Sequence, residues 1–164
     1  MFEIKDLEVI DNGLIERFNV SCLSPAIGTF RHVTSKRIGP KENPFSYELE
    51  ISGQLSVNEN GEFQEGDCKK QALVIINNVV NTIIACSEHY GINLTREEAL
   101  NHITNTLVLL SKMEDFPFVN EAYKESGIPH ACRAAFSVKE LPLASKGALI
   151  EIRVNALIQA SKGI

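Results

Sequence analysis

Arg133 and Glu151 are the two residues of this chain whose types and placement could do chemistry together. Each sits in a segment that alternates with the period of two expected of a strand. In Pro129-His-Ala-Cys-Arg-Ala-Ala-Phe-Ser-Val138, Cys132, Ala134, Phe136 and Val138 share one face, and Arg133, Ala135 and Ser137 share the other. In the segment from Ala148 to Ile158, Ile150, Ile152, Val154, Ala156 and Ile158 share a face, while Glu151, Arg153 and Asn155 point the opposite way. With the apolar sets turned to the core, Arg133 and Glu151 are expected together on the non-core face of one sheet. An arginine with small neighbours beside a carboxylate makes either a pocket for a small anion or an ion pair in an interface. Arg153 is the other candidate to pair with Glu151.

Competing chemistries find little support. Cys22, Cys68, Cys86 and Cys132 lie far apart with no Cys-x-x-Cys pair, so reduced, mostly buried thiols are expected rather than a zinc site. His89, His102 and His130 have no spacing suited to a metal or a triad and read as surface or loop residues. Ser52 lacks a histidine nearby in sequence, which disfavours a nucleophilic serine. Ser35-Lys-Arg37 reads as short, loop-borne and solvated. No metal and no cofactor is expected.

The elements that must position these residues follow from the pattern. At 164 residues, with 44% hydrophobic and 23% charged residues, the chain fits one soluble globular domain. A net charge of −5 and a pI near 5.4 leave no electrostatic footprint for nucleic acid. No uninterrupted apolar run approaches the ~20 residues that span a bilayer, and the acidic start does not read as a signal peptide. A cytoplasmic location and no membrane partner are expected.

Residues 2–10 and 14–22 read as strands joined at Asp11-Asn12-Gly13, a hairpin signal. Another strand is expected from Ser46 to Leu55. Asp67 is placed to cap a helix whose Ala72, Ile75, Ile76, Val79, Val80, Ile83 and Ile84 repeat at three-four spacing until Gly91. Thr95 with Glu98 resembles a capping box opening one short turn. Ile103 to Leu110 reads as a strand. Asp115 caps a second long helix with Phe118, Val119, Ala122 and Tyr123 as its buried face. The order indicates α+β, a mixed sheet with two helices on one face. The connection before Glu151 is too long for a tight hairpin, so one strand is expected between the Arg133 and Glu151 strands. The uncovered face invites self-association.

Four segments resemble the Rid (YjgF) family of enamine/imine deaminases, whose members adopt a chorismate-mutase-like trimeric fold. They are Ser24-Pro-Ala-Ile-Gly-Thr-Phe30, Ile51-Ser-Gly-Gln-Leu-Ser-Val-Asn-Glu-Asn-Gly61, Phe116-Pro-Phe-Val-Asn-Glu-Ala-Tyr123, and Ala131–Pro142 with Ala148–Ile152. The resemblance implies a single domain over 1–164, with residues 1–20 an N-terminal extension and 31–46 a further addition. It implies that Arg133 holds a substrate carboxylate, that Glu151 handles the attacking water, and that Gly53 leaves room at the pocket wall. Phe30, Ala135 and Asn120 complete the expected substrate-binding set. Phe30 stands where the family usually has tyrosine. Ala135 stands where many members have cysteine.

The same resemblance implies a homotrimer with its pocket between subunits, acting on a small imino acid and releasing keto acid and ammonia, as 2-iminobutanoate/2-iminopropanoate deaminases do. A metabolite-binding or regulatory protein using the same carboxylate pocket is the alternative. Endoribonuclease activity, sometimes attached to this family, is disfavoured by the acidic chain. A chorismate-mutase-like dicarboxylate substrate would require more cations on the pocket face than the sequence pattern places there.

Overall fold

The computed structural model describes residues 1–26, 28–128 and 131–160. Seven strands, β1 (Ile4–Ile10), β2 (Ile15–Val20), β3 (Val33–Ile38), β4 (Ser46–Gln54), β5 (Ile103–Leu110), β6 (Cys132–Ser137) and β7 (Ile150–Gln159), form one sheet. Its spatial order is β1-β2-β3-β4-β7-β5-β6. All neighbours run antiparallel except β5 and β6, which are parallel. Parallel neighbours need a crossover, and the helix between them supplies it. The expected intervening strand is β5, lying between β6 and β7.

Among the described residues three α-helices follow from local chemistry: α1 (Cys68–His89), α2 (Arg96–Asn101) and α3 (Phe116–Ser126). The Asp67 carboxylate accepts from the Lys70 N–H at 2.8 Å and starts α1. A full capping box between Thr95 and Glu98 starts α2. The β-branched residues of α1 are mediocre helix formers, so its stability derives from burying Ile75, Ile76, Val79, Val80 and Ile83 against Leu49, Ile51, Ile152 and Val154 of the sheet. α1 has the length and hydropathy of a bilayer-crossing helix, yet most of that stretch is buried inside the domain.

Several expectations need correction. Ser35-Lys-Arg37 is not loop but the middle of β3, with Ser35 fully buried and Lys36 bonded to Glu50 at 2.9 Å. Arg37 donates to the carbonyls of Gly13 (3.1 Å) and Gly39 (3.3 Å), tying β3 to the hairpin turn. His89 is not a surface histidine: it ends α1, half-buried, with Nε2 3.0 Å from Glu16 Oε2. His102 follows α2 with Nδ1 2.7 Å from the Leu157 carbonyl. Pro129 and His130 lie outside the described residues. Asp115 occupies the cap position of α3 without a side-chain cap bond. Phe118 is 41% exposed rather than part of the buried face.

Arg133 pairs with Thr106 and Ala135 with Val108. Residues directly opposite in a ladder point to the same side. Thr106 and Val108 are buried on the helix side, so Arg133 and Ala135 face the helices. Cys132, Ala134 and Phe136 instead face the uncovered side with Glu151, Arg153 and Asn155. The two faces of β6 are therefore as expected in membership and reversed in direction. Alternation alone turns the apolar set of this edge strand toward the core, yet Phe136 is 57% exposed.

Candidate functional site

The expected site residues divide into two clefts on opposite sides of the sheet. Glu151, Gly53 and Phe30 gather on the uncovered face, in a cleft of about 890 Å³ bounded also by Ser24, Pro142 and Arg153. β4 and β7 slip register between the Ile51 and Gln54 pairings, which brings the irregular Ser52-Gly53 step beside Glu151. Gly53 is a close-approach glycine. A Cβ there would overlap Glu151 Oε1 and stand 3.0 Å from its Cδ. Phe30, 47% exposed, presents its ring to the cleft. The Ser52 hydroxyl donates to the Arg31 carbonyl at 2.7 Å, which occupies it structurally.

Glu151 is half-buried, and desolvation raises its carboxyl above the ordinary range. Burial penalises the charged form, so the group holds a proton more readily than a surface glutamate. Among the described residues no ion pair reaches it, neither from Arg153 nor from Arg133. A carboxylate with raised proton affinity and free oxygens can accept a proton from water and return it.

Arg133 and Asn120 lie in the second cleft, about 760 Å³, between the edge of the sheet and α3. The Arg133 guanidinium sits 5.0 Å from the Phe116 ring centre and 5.1 Å from that of Tyr123. Both distances are within cation–π range. Tyr123 is itself fixed by donating to Thr106 Oγ1 at 3.0 Å. The rings orient the fork, and no carboxylate among the described residues pairs with it. Its bidentate edge is thus available for an anion. Ala135, the next position on that face, packs half-buried against the core.

The sequence pattern does not show Phe116 and Tyr123 as the seat of Arg133; it places Tyr123 only on a buried helix face. The signal was present in Thr106, a lone hydroxyl on the core face of β5. Among the described residues no cluster of three metal-ligating side chains occurs. Cys22, Cys68 and Cys86 are buried free thiols, and Cys132 is exposed on the uncovered face. Burial pushes the Cys68 thiol up to about 12, which makes it a poor nucleophile.

Residues 46–158 match the family described as Endoribonuclease L-PSP. A RutC family protein of Pyrococcus abyssi is 30% identical over 131 residues, covering 77% of this chain and 93% of that one. The crystal structure of RidA from an Antarctic Psychrobacter is 28% identical, with a TM-score of 0.60 over 84% of this chain and 95% of that one. Yeast Mmf1 is 19% identical with a TM-score of 0.64 over 85% and 94%, a likeness of fold. The chain belongs to this family, the Rid (YjgF) proteins.

Proposed function

We propose that this Rid family protein is a hydrolytic deaminase of reactive enamine/imine intermediates derived from amino acids, including 2-iminopropanoate and 2-iminobutanoate, and that it works as a homotrimer. The observation that carries the reading is Glu151, a half-buried carboxylate pressed against a glycine in an open cleft with no partner among the described residues. A purely structural glutamate would be paired or solvated.

In the proposed reaction Arg133 grips the substrate carboxylate through two parallel hydrogen bonds, each charged bond contributing about 1.5–3 kcal/mol net. An enamine first tautomerises to the imine. Glu151 then takes a proton from water as the water oxygen bonds to the imine carbon, and the imine nitrogen takes up a proton from solvent. The tetrahedral carbinolamine collapses to the carbonyl, its hydroxyl proton leaving to solvent, as Glu151 returns its own proton to the departing nitrogen. Imine and water go in, and keto acid and ammonia come out. No metal, cofactor or covalent intermediate enters the balance.

One chain cannot bring both residues to one substrate, because Arg133 faces the helices and Glu151 faces away. The economical solution is that Arg133 of one subunit meets Glu151 of its neighbour. The uncovered face supports this, since Phe136 (57%) and Leu157 (40%) are too exposed and apolar for a face left in water.

The test adds the purified protein to an amino-acid dehydratase that generates 2-aminoacrylate in situ. Keto acid release above the spontaneous rate is expected, falling by about 10²–10⁴-fold in Glu151→Gln. Binding of keto acids without turnover on several imines would favour the metabolite-binding alternative.

A further inference from the structure

Arg153 lies two residues beyond Glu151 on β7, on the same face and roughly 7 Å along the strand. Its exposed side chain lines the Glu151 cleft, as does that of Lys146 from the connection between β6 and β7. Neither cation has an ion-pair partner among the described residues. The other acid in the cleft, Glu50, is engaged by Lys36 at 2.9 Å. With Glu50 paired, two unpaired cations stand against one carboxylate, Glu151, so the free charge in this cleft is positive, in a chain whose net charge is −5. Hydrolysis of a monocarboxylate imine does not call for it, because the substrate's α-carboxylate is already assigned to Arg133.

We propose that Arg153 is a specificity-determining residue that holds a second carboxylate on the substrate's side chain, so that the preferred substrates are imines of acidic amino acids. The proposal rests on the deaminase reading of the Glu151 cleft. A side-chain carboxylate two or three carbons from the imine carbon, plus one hydrogen bond to a guanidinium, spans about 5–7 Å. That matches the strand spacing between Glu151 and Arg153. The guanidinium fork suits a carboxylate, and Lys146 adds a second positive charge at the rim.

The test has two arms. Calorimetry compares 2-oxoglutarate with 2-oxohexanoate, a chain of similar size without the second charge. The wild type is expected to bind 2-oxoglutarate about 10- to 100-fold tighter, the worth of one charge-assisted contact. Arg153→Gln is expected to bring the ratio near one, and Arg153→Lys to restore part of it. Equal binding by the wild type overturns the proposal, and so does a preference that survives Arg153→Gln or disappears only with Lys146→Gln. The second arm measures how fast the protein removes imines formed from alanine and from aspartate by flavin amino-acid oxidases, with semicarbazide as a competing trap. Faster removal of the diacid imine is expected. Equal efficiency on both overturns this inference alone. No removal of either imine, with the binding preference intact and sensitive to Arg153, overturns the deaminase reading and leaves Arg153 as the reader of a dicarboxylate ligand.

Discussion

Gly53→Ala tests whether the position of the Glu151 carboxylate is what matters. A Cβ at residue 53 would overlap Glu151 Oε1 and approach Cδ to 3.0 Å and Cγ to 3.3 Å. Ordinary carbon contacts sit near 3.5–4.0 Å, so the carboxylate must swing by roughly 1 Å or more. The backbone has no reason to object, because Gly53 is not among the glycines with positive φ. The displaced atoms are the end of a flexible side chain, so the fold should hold, with a stability change within about 1 kcal/mol. A misplacement of about 1 Å at a reacting group costs on the order of 10²-fold in rate. The expected result is therefore a kcat lower by about 10²-fold with Tm nearly unchanged. Steady-state kinetics on dehydratase-generated imine, beside thermal melts, reads both. Glu151→Asp in the Gly53→Ala background shortens the side chain by one methylene and should recover part of the loss, a coupling that a double-mutant cycle isolates. A Gly53→Ala protein with full turnover would refute the placement of catalysis on this carboxylate.

Other expectations follow from the same geometry. Arg133→Ala should raise the Kd for keto acids and lower turnover together, since its bonds exist in ground and transition states alike, and Arg133→Lys should recover little because the fork is lost. The raised Glu151 carboxyl sets the acid limb of the pH–rate profile: activity falls as pH drops through that raised value, and the limb should lie above an ordinary carboxylate and vanish in Glu151→Gln. The same shift carries a sign for stability. A carboxyl raised in the fold favours folding below its unfolded value, and this contribution is lost as pH rises through the folded one. Glu151→Gln should therefore melt no lower than wild type at neutral pH; a clear drop in Tm would contradict the burial argument. Light scattering in dilute buffer should give close to three times 18.1 kDa, and a monomer would remove the shared site.

Much of this architecture was legible because each signal had a single physical reading. Asp67 before a three-four apolar repeat can only start a helix, and Thr95 with Glu98 made its capping box. Asp11-Asn12-Gly13 turned the chain with Asn12 at φ 57° and Gly13 at φ 81°, conformations those residue types tolerate. Legibility ended where a reading depended on what covers a face. Strand alternation grouped Arg133 with Ala135 correctly, but Cys132, Ala134 and Phe136 were apolar enough to pass for the core set. Only the pairing of Arg133 with Thr106 reverses them. The extent of β3 is obscured because Lys36 and Arg37 look like loop residues until Glu50 and the Gly13 carbonyl are placed beside them. The two unpaired cations of the Glu151 cleft could not be counted before its acids were paired.

The central claim is that Glu151 and Arg133 act on one substrate from different subunits. Mixing two inactive variants tests it directly. Glu151→Gln and Arg133→Ala proteins are combined in equal amounts, dissociated and reassembled, and then assayed for imine hydrolysis. In a mixed trimer an intact site arises where a subunit keeping Glu151 adjoins one keeping Arg133. Random assembly gives that pairing at about a quarter of sites, so about a quarter of wild-type activity should return. If the two residues of one chain served the same site, every site would lack one of them, and the mixture would stay as inactive as its parts.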